Sequence, residues 1–502
     1  MNTMPKNILI VGGGTAGWMT AIHLQNAWAD KGIKISLIES PVIGTVGVGE
    51  GTTPLLREFY ARLGIPESEW MPRCNATYKC GISFPGWSTV TGYEDYFHPF
   101  FSDLDKSFIQ HFWDNCNLRR EGHDIPAHPD DYFVTTVLAS QHRAPIPKHK
   151  LSADSQYGYH FDALLMGEYL KEKATDKGVE LIRDTITDIN LDKNGYIASV
   201  QTTENGKIKA DFFIDCSGFK GLLIRQALGE EPISTKDYMF NDSAIAIPTP
   251  IKNEQDIMSE TISKAMKYGW VWHIPLANRV GNGYVYSSDY ITAEEVEAEF
   301  REYLGEDAEG VKALHLHWNP GRLQNHWKKN CVAIGLSQGF LEPLEALMIN
   351  VIQRSIEGFA DNFENGGFTD KYQQVFNDKV NGFIDGIRDY LQLHYKLNTR
   401  DDTDYWRDNR DNPNMSPQLT AILEAWDSGE GIDRVLFENI NQQVYQRTSW
   451  YCMLAGMGRF PKATKGPLRL PIRNQKRARQ ASEEQAQNFY PHAEYLKKLY
   501  KA

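Results

Sequence analysis

The sequence predicts an α/β protein with mixed sheets and an added, mainly helical region. Three observations favour this fold class. A buried strand, a glycine-rich turn, a helix and a second buried strand follow one another within residues 7–40. A run of short strands separated by turn signals covers residues 179–218. From about residue 370 the pattern becomes helical and charged, with aromatic residues interleaved.

The overall composition is that of a globular intracellular protein. Of 502 residues, 41% are hydrophobic and 24% charged, and the net charge is −12. Nucleic acids and anionic membranes are bound through a basic surplus, so this charge argues against both partners. Six scattered cysteines without a CxxC pair indicate reduced thiols. Because the sequence has neither a signal-peptide pattern nor a long apolar run, we expect a soluble, cytoplasmic protein.

The individual elements follow from apolar spacing and turn residues. NILIVGG reads as a buried strand, TAGWMTAIHLQNAW as a helix and KISLIES as a second strand. The later helix FDALLMGEYLKEKATDKG has Asp162 to cap its start and Gly178 to end it. The pairs Asn194-Gly195 and Asn205-Gly206 predict hairpin turns in the strand run.

The first glycine-rich turn predicts a nucleotide site. GGGTAG matches GxGxxG through Gly12, Gly14 and Gly17, which lie between a predicted strand and a predicted helix. Glycines at these positions let backbone N–H groups approach a pyrophosphate at the positive end of the helix. Glu39 ends the next strand, 22 residues after the last glycine, where it can bond a ribose hydroxyl.

The strand run favours FAD as the nucleotide. It returns to a hydrophobic strand that ends in Asp215-Cys216-Ser217-Gly218. This arrangement resembles the second nucleotide-contacting segment of glutathione-reductase-type FAD enzymes. The resemblance implies that fold, with a Rossmann-like βαβ unit inside mixed sheets, and favours FAD over NAD.

The segment GWVWHIPL at 269–276 carries a family resemblance. On a strand, Trp270 and Trp272 face the same side, and Pro275 ends regular pairing. This WxWxIP pattern resembles that of the flavin-dependent tryptophan halogenase family. Six further segments match the family in the same order along nearly the whole chain: VGGGTAGWM, GVGEGTTP, WMPRCNATYKCGISF, YHFDA, DFFIDCSGFKGLLI and NCVAIGLSQGFLEPLE.

The resemblance implies a two-component enzyme. A separate flavin reductase supplies reduced FAD, and O₂ and a bound halide then yield a hypohalous acid. This oxidant passes through the protein to a lysine, which presents it to an electron-rich aromatic such as an indole or tryptophan derivative. The barrier formed by Trp270, Trp272 and Pro275 keeps the substrate away from the flavin. The family also suggests a homodimer.

The same resemblance implies a division of the chain and a set of cofactor contacts. The FAD-binding body would cover 1–370, with an inserted substrate-site segment around 70–150. The mainly helical substrate-binding region would cover 371–502. The expected FAD-binding residues are Gly12, Gly14, Thr15, Ala16, Gly17, Glu39, Gly49, Ile186, Asp215, Leu336 and Ile349.

Two residues match the catalytic positions of the family. Lys79 lies among apolar neighbours, and burial lowers the pKa of a lysine, so its amine can either hydrogen-bond the oxidant or take the halogen. Glu345 matches the functional glutamate. It also has a structural interpretation, because Pro343 suits the first turn of a helix and an acid two residues later would complement the helix dipole.

The halide position departs from the family pattern. Other members follow the glutamate with Ser-Thr-Gly, whose last two residues hold chloride. This chain has Ala346, Leu347 and Met348 there, so a hydroxyl is lost and two bulky side chains are gained. We expect backbone groups of Leu347 and Met348 to bind the halide. Bromide or iodide would suit this more apolar position better than chloride.

The substrate position is matched only in part. His98 and Phe100 correspond to an HPF motif whose rings sandwich an indole, and Trp450 and Tyr451 lie in the segment where members contact tryptophan. The groups that bind the amino and carboxyl groups of tryptophan have no clear match. An indole or phenol without these charges is at least as plausible a substrate as free tryptophan.

Two other functions stay open from the sequence alone. A flavin-dependent aromatic monooxygenase could share the scaffold, and a degenerate flavin-binding protein could have lost halogenation through its altered halide position. His315 and His317 share a strand face, but two histidines without a third ligand are usually structural. We therefore predict no metal site.

Overall fold

A computed structural model describes residues 4–42, 44, 49–151, 154–253, 255–438, 444–466 and 475–501. In the predicted motif GVGEGTTP, residues 47 and 48 lie outside the described residues. The described strands, in chain order, are β1 (Asn7–Val11), β2 (Lys34–Glu39), β3 (Gly49–Gly51), β4 (Thr77–Lys79), β5 (Gly81–Ser83), β6 (Phe97–Pro99), β7 (Arg143–Pro147), β8 (Gly158–Asp162), β9 (Glu180–Arg183), β10 (Ile186–Leu191), β11 (Ile197–Thr202), β12 (Lys207–Ile208), β13 (Phe212–Asp215), β14 (Pro232–Ser234), β15 (Ser243–Ala246), β16 (Thr261–Ala265), β17 (Gly269–Pro275), β18 (Val280–Tyr286), β19 (Leu314–His317), β20 (Gly321–Leu323), β21 (Trp327–Lys328), β22 (Cys331–Ala333), β23 (Gly339–Phe340) and β24 (Phe489–Pro491).

The described α-helices, in chain order, are α1 (Thr15–Ala27), α2 (Leu55–Leu63), α3 (Glu67–Arg73), α4 (Lys106–Arg120), α5 (Val134–Ser140), α6 (Ala163–Asp176), α7 (Ala293–Leu304), α8 (Met348–Asn365), α9 (Gln373–Leu397), α10 (Asp404–Asp411), α11 (Pro417–Ser428), α12 (Asp433–Glu438), α13 (Arg447–Gly456), α14 (Gln475–Ala486) and α15 (His492–Leu499). From Gln373 onward the described elements are α-helices except for β24. Strand β24 pairs with β7, which lies in the predicted inserted segment. None of the helices in the described part of the chain is long and apolar enough to cross a membrane.

A six-stranded sheet forms the centre of the nucleotide end. Its order is β21-β22-β13-β1-β2-β9, and all neighbouring strands are parallel except β21 with β22. The β1 residues after Asn7 are buried, as expected for a strand covered on both faces. Helix α1 connects β1 to β2, which confirms the predicted βαβ unit.

The turn and capping predictions are also confirmed. The Asp162 side chain accepts hydrogen bonds from the backbone N–H groups of Leu164 and Leu165 at the start of α6. Gly178 follows the helix with a φ of +98°, a conformation that favours glycine. Strands β10, β11 and β12 form the two predicted antiparallel hairpins.

A second sheet of seven strands carries the tryptophan segment. Its order is β19-β15-β18-β17-β16-β5-β6, so β17 lies inside the sheet between β18 and β16. Pro275 is the last residue of β17, as predicted. A small sheet, β3-β8-β4, adds the strand that holds Lys79. All six cysteines are buried and unpaired, which agrees with the predicted reduced thiols.

Candidate active site

The turn between β1 and α1 offers its N–H groups to an anion. Helix α1 begins after Gly14, which provides no side-chain cap, and the first turn holds no acidic residue. Gly12 has a φ of +114°, and its missing Cβ lets the Cys216 carbonyl lie against it. The first α1 residues are Thr15, Ala16 and Gly17. These features fit the pyrophosphate of FAD at the positive end of the helix.

Glu39 lies where the sequence predicts. It ends β2 directly beside Gly13, so any side chain at Gly13 would collide with the carboxylate. The Lys171 Nζ atom pairs with Glu39 Oε1 at 3.4 Å. Glu39 therefore stands at the edge of the nucleotide turn with its charge partly balanced, and it can still accept a hydrogen bond from a ribose hydroxyl.

Asp215 holds the adjoining turn together. Its buried carboxylate accepts hydrogen bonds from Ser217 N (3.0 Å), Ser217 Oγ (2.6 Å), Leu223 N (2.8 Å) and Ile224 N (2.9 Å). Burial raises the pKa of Asp215, and these hydrogen bonds oppose the rise. Because the carboxylate is already saturated, this segment would contact FAD through its backbone.

The other predicted cofactor residues are distributed over four segments. Gly49, in β3, packs against the Ile274 side chain. Ile186 begins β10 and is half-buried. Leu336 is half-buried in the turn after β22, and this turn packs against the start of α1. Ile349 is buried in the first turn of α8. The structure thus brings the Leu336 turn to the nucleotide turn.

Lys79 is fully buried without a hydrogen-bond partner. It is 0% exposed, and its Nζ atom makes no hydrogen bond within the described residues. Burial lowers the pKa of Lys79 to about 7, although the charge of Glu345 opposes this shift. The Phe100 ring centroid lies 5.6 Å from Nζ. An amine in this environment is poised between its charged and neutral forms at neutral pH.

Glu345 lies in a turn before α8, not inside a helix. The Ala346 N–H donates to the Pro343 carbonyl at 2.9 Å, and α8 begins only at Met348. The interpretation of Glu345 as a residue of the first helical turn is therefore wrong. One tight turn separates Pro343 from the helix, and it carries the carboxylate into the interior.

The Glu345 carboxylate faces two imidazoles. Its oxygens lie 3.6 Å from His98 Nδ1 and 3.2 Å from His394 Nε2. Burial alone would raise the pKa of Glu345, but the two histidines outweigh it and hold the pKa at about 2. The two histidines therefore favour the ionised form of Glu345.

His394 is a site residue that the sequence analysis missed. It lies on α9, where its Nδ1 atom is 3.2 Å from the Tyr390 carbonyl oxygen and its Nε2 atom is 3.3 Å from the Tyr96 hydroxyl. A histidine on a long helix with mixed burial has no local signal of function. The spacing of Tyr390 and His394, four residues apart, is the only indication that both face one side.

An aromatic group surrounds this carboxylate. Tyr390 stacks on Tyr445 at 3.4 Å between ring centroids, meets Trp450 edge-on at 5.0 Å and lies 6.1 Å from His98. The Tyr445 hydroxyl and the Trp450 indole N–H are buried without hydrogen-bond partners among the described residues. We call Tyr390, Tyr445, Trp450 and His98 the aromatic pocket. Its flat faces suit an aromatic ring.

Tyr451 does not join the aromatic pocket. Its hydroxyl donates to Asn117 Oδ1 at 3.1 Å, and its ring packs edge-on against Trp426 at 5.2 Å. Neighbouring residues of a helix point in directions about 100° apart, so α13 directs Trp450 into the pocket and Tyr451 toward α4 and α11.

The two tryptophans of β17 form a continuous apolar surface. Trp270 and Trp272 are both buried, with ring centroids 6.2 Å apart and no hydrogen-bond partner in the described chain for either indole N–H. Further along the strand, Ile274 packs against Gly49, and the Pro275 carbonyl accepts a 2.6 Å hydrogen bond from Thr77 Oγ1. Thr77 is two residues before Lys79 on β4, so the strand is tied to the lysine end.

The predicted halide residues stand at the start of α8. Leu347 is buried and Met348 half-buried, and the helix has neither a side-chain cap nor an acid in its first turn. Ala346 adopts the left-handed conformation with a φ of +53°, which costs a residue with a Cβ about 1–2 kcal/mol. The uncapped start of α8 therefore leaves backbone N–H groups without a side-chain partner beside two apolar side chains. Binding of the halide by Leu347 and Met348 stays a prediction.

The two strand histidines have ordinary partners. His315 Nε2 lies 2.9 Å from Glu297 Oε2, and His317 Nδ1 lies 3.1 Å from Ser243 Oγ. No cluster of three or more His, Cys, Asp or Glu side chains suited to a metal occurs in the described ranges.

Comparison with known proteins identifies the family. The tryptophan halogenase family model matches residues 7–469. The chain is 39% identical to the 7-chloro-L-tryptophan 6-halogenase KtzR of Kutzneria sp. (strain 744), covering 84% of each protein. It is 38% identical to the tryptophan 6-halogenase SttH of Streptomyces toxytricini, covering 85% of each. This chain belongs to the tryptophan halogenase family.

A solved structure extends the match to the whole fold. Tar14, a tryptophan C-6 flavin-dependent halogenase from taromycin biosynthesis, superposes with a TM-score of 0.86 at 35% identity. The superposition covers 99% of this chain and 100% of Tar14. This protein is therefore a flavin-dependent halogenase with the FAD-binding fold that the sequence predicts, and it requires FAD and a halide. Family membership favours halogenation over the monooxygenase and degenerate-protein alternatives.

Proposed function

We propose that this halogenase uses Lys79 and Glu345 to transfer bromine or chlorine to a neutral, electron-rich aromatic ring, with reduced FAD supplied by a separate reductase. The observation that carries the proposal is the buried, unpartnered amine of Lys79 near an anionic carboxylate and an aromatic pocket. FAD held at the glycine turn would supply the activation of O₂ that oxidises the halide. The remaining steps follow from side chains of this chain.

Lys79 can act in either protonation state. With a pKa of about 7, the ammonium and the amine are both populated at neutral pH. The ammonium can donate a hydrogen bond to the oxygen of hypohalous acid and make the halogen more electrophilic. The amine can instead attack the halogen, so that an N–X bond forms, the O–X bond breaks and the hydroxide leaves as water with the amine proton.

Glu345 would stabilise the charge that develops on the ring. When a ring carbon bonds to the halogen, the ring becomes a cation, and a nearby buried anion lowers the energy of that state. His98 and His394 keep Glu345 ionised for this purpose. The ring proton lost afterwards can pass to the same carboxylate, which restores the aromatic ring.

The aromatic pocket supports a neutral substrate. The rings that pack around Tyr390 in the described chain are two histidines, a tyrosine and a tryptophan. None of these rings carries a fixed positive charge to pair with the carboxylate of a zwitterionic amino acid, and burying that carboxylate unpaired costs free energy. The relatives' names indicate an indole ring. An indole or phenol without charged substituents is therefore the favoured substrate class.

The start of α8 supports bromide over chloride. Leu347 and Met348 replace small polar residues of the family, and a larger, less strongly hydrated anion loses less on entering an apolar site. In a competition between equal concentrations of the two halides, we expect brominated product to predominate. The double substitution Leu347→Thr with Met348→Gly should shift the ratio toward chloride. A clear preference of the unaltered enzyme for chloride would contradict this assignment.

One product analysis tests the proposed function. The enzyme, FAD, a flavin reductase, NADH and halide are supplied with a panel of indoles, phenols and free tryptophan, and products are weighed by mass spectrometry. We expect a halogen mass shift that is largest for neutral indoles. A hydroxyl mass shift would refute the proposed reaction. Halogenation of free tryptophan alone would refute the proposed substrate class. Removal of the reductase and NADH should abolish product.

A further inference from the structure

A buried row of hydrogen bonds ends beside Lys79. Thr77 Oγ1 donates to the Pro275 carbonyl at 2.6 Å and lies 3.1 Å from His160 Nδ1. His160 Nε2 lies 2.9 Å from Thr261 Oγ1. All three side chains are at most 4% exposed. Thr77 and His160 lie in two of the family motifs, WMPRCNATYKCGISF and YHFDA, but neither they nor Thr261 has been given a catalytic or binding role. The three residues join three different sheet strands, β4, β8 and β16.

The direction of each hydrogen bond in this row is fixed. A carbonyl only accepts, so the Thr77 hydroxyl gives its hydrogen to Pro275 and must accept from His160 Nδ1–H. Burial, together with the charge of Lys79, lowers the pKa of His160 far below its usual value, so the ring is neutral. Its Nε2 atom then accepts, and Thr261 must donate to it. Only lone pairs of Thr261 Oγ1 are left for any other contact.

Those lone pairs border the same small space as the lysine amine. A Cβ built on Gly51 would lie 3.1 Å from Lys79 Nζ, 3.4 Å from Thr261 Oγ1 and 3.4 Å from the Ala346 methyl. Since Gly51 has no side chain, these three atoms approach its backbone closely, and we call the position that they share the niche. Among the described residues Lys79 Nζ has no hydrogen-bond partner, and Thr261 Oγ1 has lone pairs left over, so a small molecule that accepts from the amine and donates to the hydroxyl oxygen would pair both groups.

We propose that this niche binds the hypohalous acid in one orientation: Lys79 donates to its oxygen, and its O–H donates to Thr261 Oγ1. This inference depends on the function proposed for Lys79. The oxygen of hypohalous acid carries only one hydrogen and one halogen. Once the lysine holds the oxygen and the threonine holds the hydrogen, the halogen is the free end, and it is presented to the substrate.

The transfer step balances with these two residues. The C–X bond forms as the O–X bond breaks, and the departing hydroxide takes a proton from the Lys79 ammonium to leave as water. The proton that the ring then loses is first taken up by Glu345 and then returns to Lys79, which restores the charge of the lysine. Thr261 contacts the oxidant throughout and gives up no proton, because its hydroxyl hydrogen stays in the hydrogen bond that it donates to His160 Nε2.

This row of hydrogen bonds orients the oxidant and does not conduct protons. Its far end is the Pro275 carbonyl, which cannot take up a net proton, and the buried imidazole is held neutral. His160 and Thr77 are therefore positioning residues that act through Thr261. Because Pro275 belongs to the tryptophan strand, the row also fixes the oxidant relative to that barrier.

The test compares Thr261→Val with Thr261→Ser. Valine keeps the shape and removes the acceptor, whereas serine keeps the hydroxyl. Two quantities are measured: halogenated product per O₂ consumed, and free hypohalous acid that escapes to a soluble scavenger. We expect Thr261→Val to lower the halogenated product per O₂ by about tenfold, which corresponds to the loss of one good hydrogen bond. The same variant should release more free hypohalous acid to the scavenger. Thr261→Ser should bring product yield and leakage close to the wild-type values. Thr77→Val should lower the yield and raise the leakage, but less than Thr261→Val does.

A second readout needs no flavin chemistry. Dilute hypobromous acid is added directly to the enzyme and an indole, and the distribution of brominated ring positions is measured. The wild type should favour one position, and Thr261→Val should approach the mixture formed without enzyme. Thr202→Val is the matched control, because it removes another buried, hydrogen-bonded threonine hydroxyl on β11, and it should behave as wild type.

The outcomes separate this inference from the proposed function. If Lys79→Met abolishes product while Thr261→Val keeps wild-type coupling, leakage and ring positions, the niche assignment is overturned and the role of Lys79 stands. If Lys79→Met keeps full product, the proposed function itself fails. Retained FAD fluorescence confirms folding, and Thr261→Ala repeats the comparison if the valine variant does not bind FAD.

Discussion

At the glycine turn Asp215 accepts four hydrogen bonds, whereas at the other end of the site Lys79 Nζ makes none with the part of the chain that the structure describes. Buried polar groups that only maintain a fold are normally paired, since an unpaired one costs about 1–3 kcal/mol. The glycine turn follows this rule. The lysine end breaks it repeatedly, and its unpartnered groups include Lys79 Nζ, Tyr445 Oη, Trp450 Nε1 and the indole N–H groups of β17.

The same contrast separates two glutamates of one loop. Glu342 accepts hydrogen bonds from Tyr395 and Asn241, pairs with no cation among the described residues, and burial raises its pKa to about 7. Three residues later, two imidazoles hold the pKa of Glu345 at about 2. Carboxyl groups whose pKa values are driven apart in this way have separate roles. Glu342 supports the loop, and Glu345 carries charge at the reacting end.

The largest expected effect compares the buried Lys79 with the half-buried Lys396. Lys79→Met should reduce product by about a thousandfold or more, because it removes the group that presents the oxidant. Lys396→Met should leave product per folded enzyme unchanged, since among the described residues this amine donates to the backbone carbonyls of Arg410 and Asn412, away from the reacting end. Product is quantified by mass spectrometry at equal FAD occupancy. Equal losses of product in both variants would contradict a specific role of Lys79.

The two glutamates provide the next comparison. Glu345→Gln should lower the turnover rate by about a hundredfold, because the developing ring charge loses its anion. Glu342→Gln should stay within about threefold of wild type, since a neutral side chain already suits that position. Turnover is measured with saturating halide and substrate. If the substitutions rank in the opposite order, the roles of the two carboxylates are exchanged.

The cost of the unpartnered lysine is measurable as stability. Because its pKa in the folded protein is about 7 against an ordinary 10.5, the unfolded chain binds more protons between these values. Removing the charge with Lys79→Met should raise the free energy of unfolding at pH 7.5 by about 1–3 kcal/mol. The gain should shrink as the pH rises toward 10.5. Denaturant titrations across this range would contradict the burial of a charged amine if the gain were constant or negative.

The smallest expected effect concerns Ala346. Glycine adopts its positive φ without strain, so Ala346→Gly should raise the free energy of unfolding by about 0.5 kcal/mol after the greater freedom of glycine in the unfolded chain is counted. Denaturant unfolding monitored by tryptophan fluorescence measures the change. A loss of stability would show that the left-handed turn is not strained.

The sequence predicts best the features that short-range patterns determine. The βαβ unit, the Asp162 cap, both hairpins and the end of the tryptophan strand at Pro275 are confirmed, because each depends on residues close together in the chain. The start of α8 was misplaced by five residues, from Pro343 to Met348, because a proline suits either a helix start or a turn.

The contacts between distant segments could not be read in the same way. His394 and Tyr390 lie on a helix whose apolar spacing reports only its packing, and Thr261 opens a strand like many others. Trp450 and Tyr451 are neighbours in sequence, yet only the fold decides which of them turns toward the pocket. Each of these roles depends on a partner more than forty residues away.

The most direct test of the central claim is the pKa of the Lys79 amine. It can be followed by NMR in protein carrying ¹⁵N-labelled lysine, with Lys79→Met to assign the signal. A buried amine without a partner predicts titration near pH 7. Titration near 10.5, the ordinary value, would mean that the amine is solvated or paired, and the proposed path of the oxidant would then lose its end point.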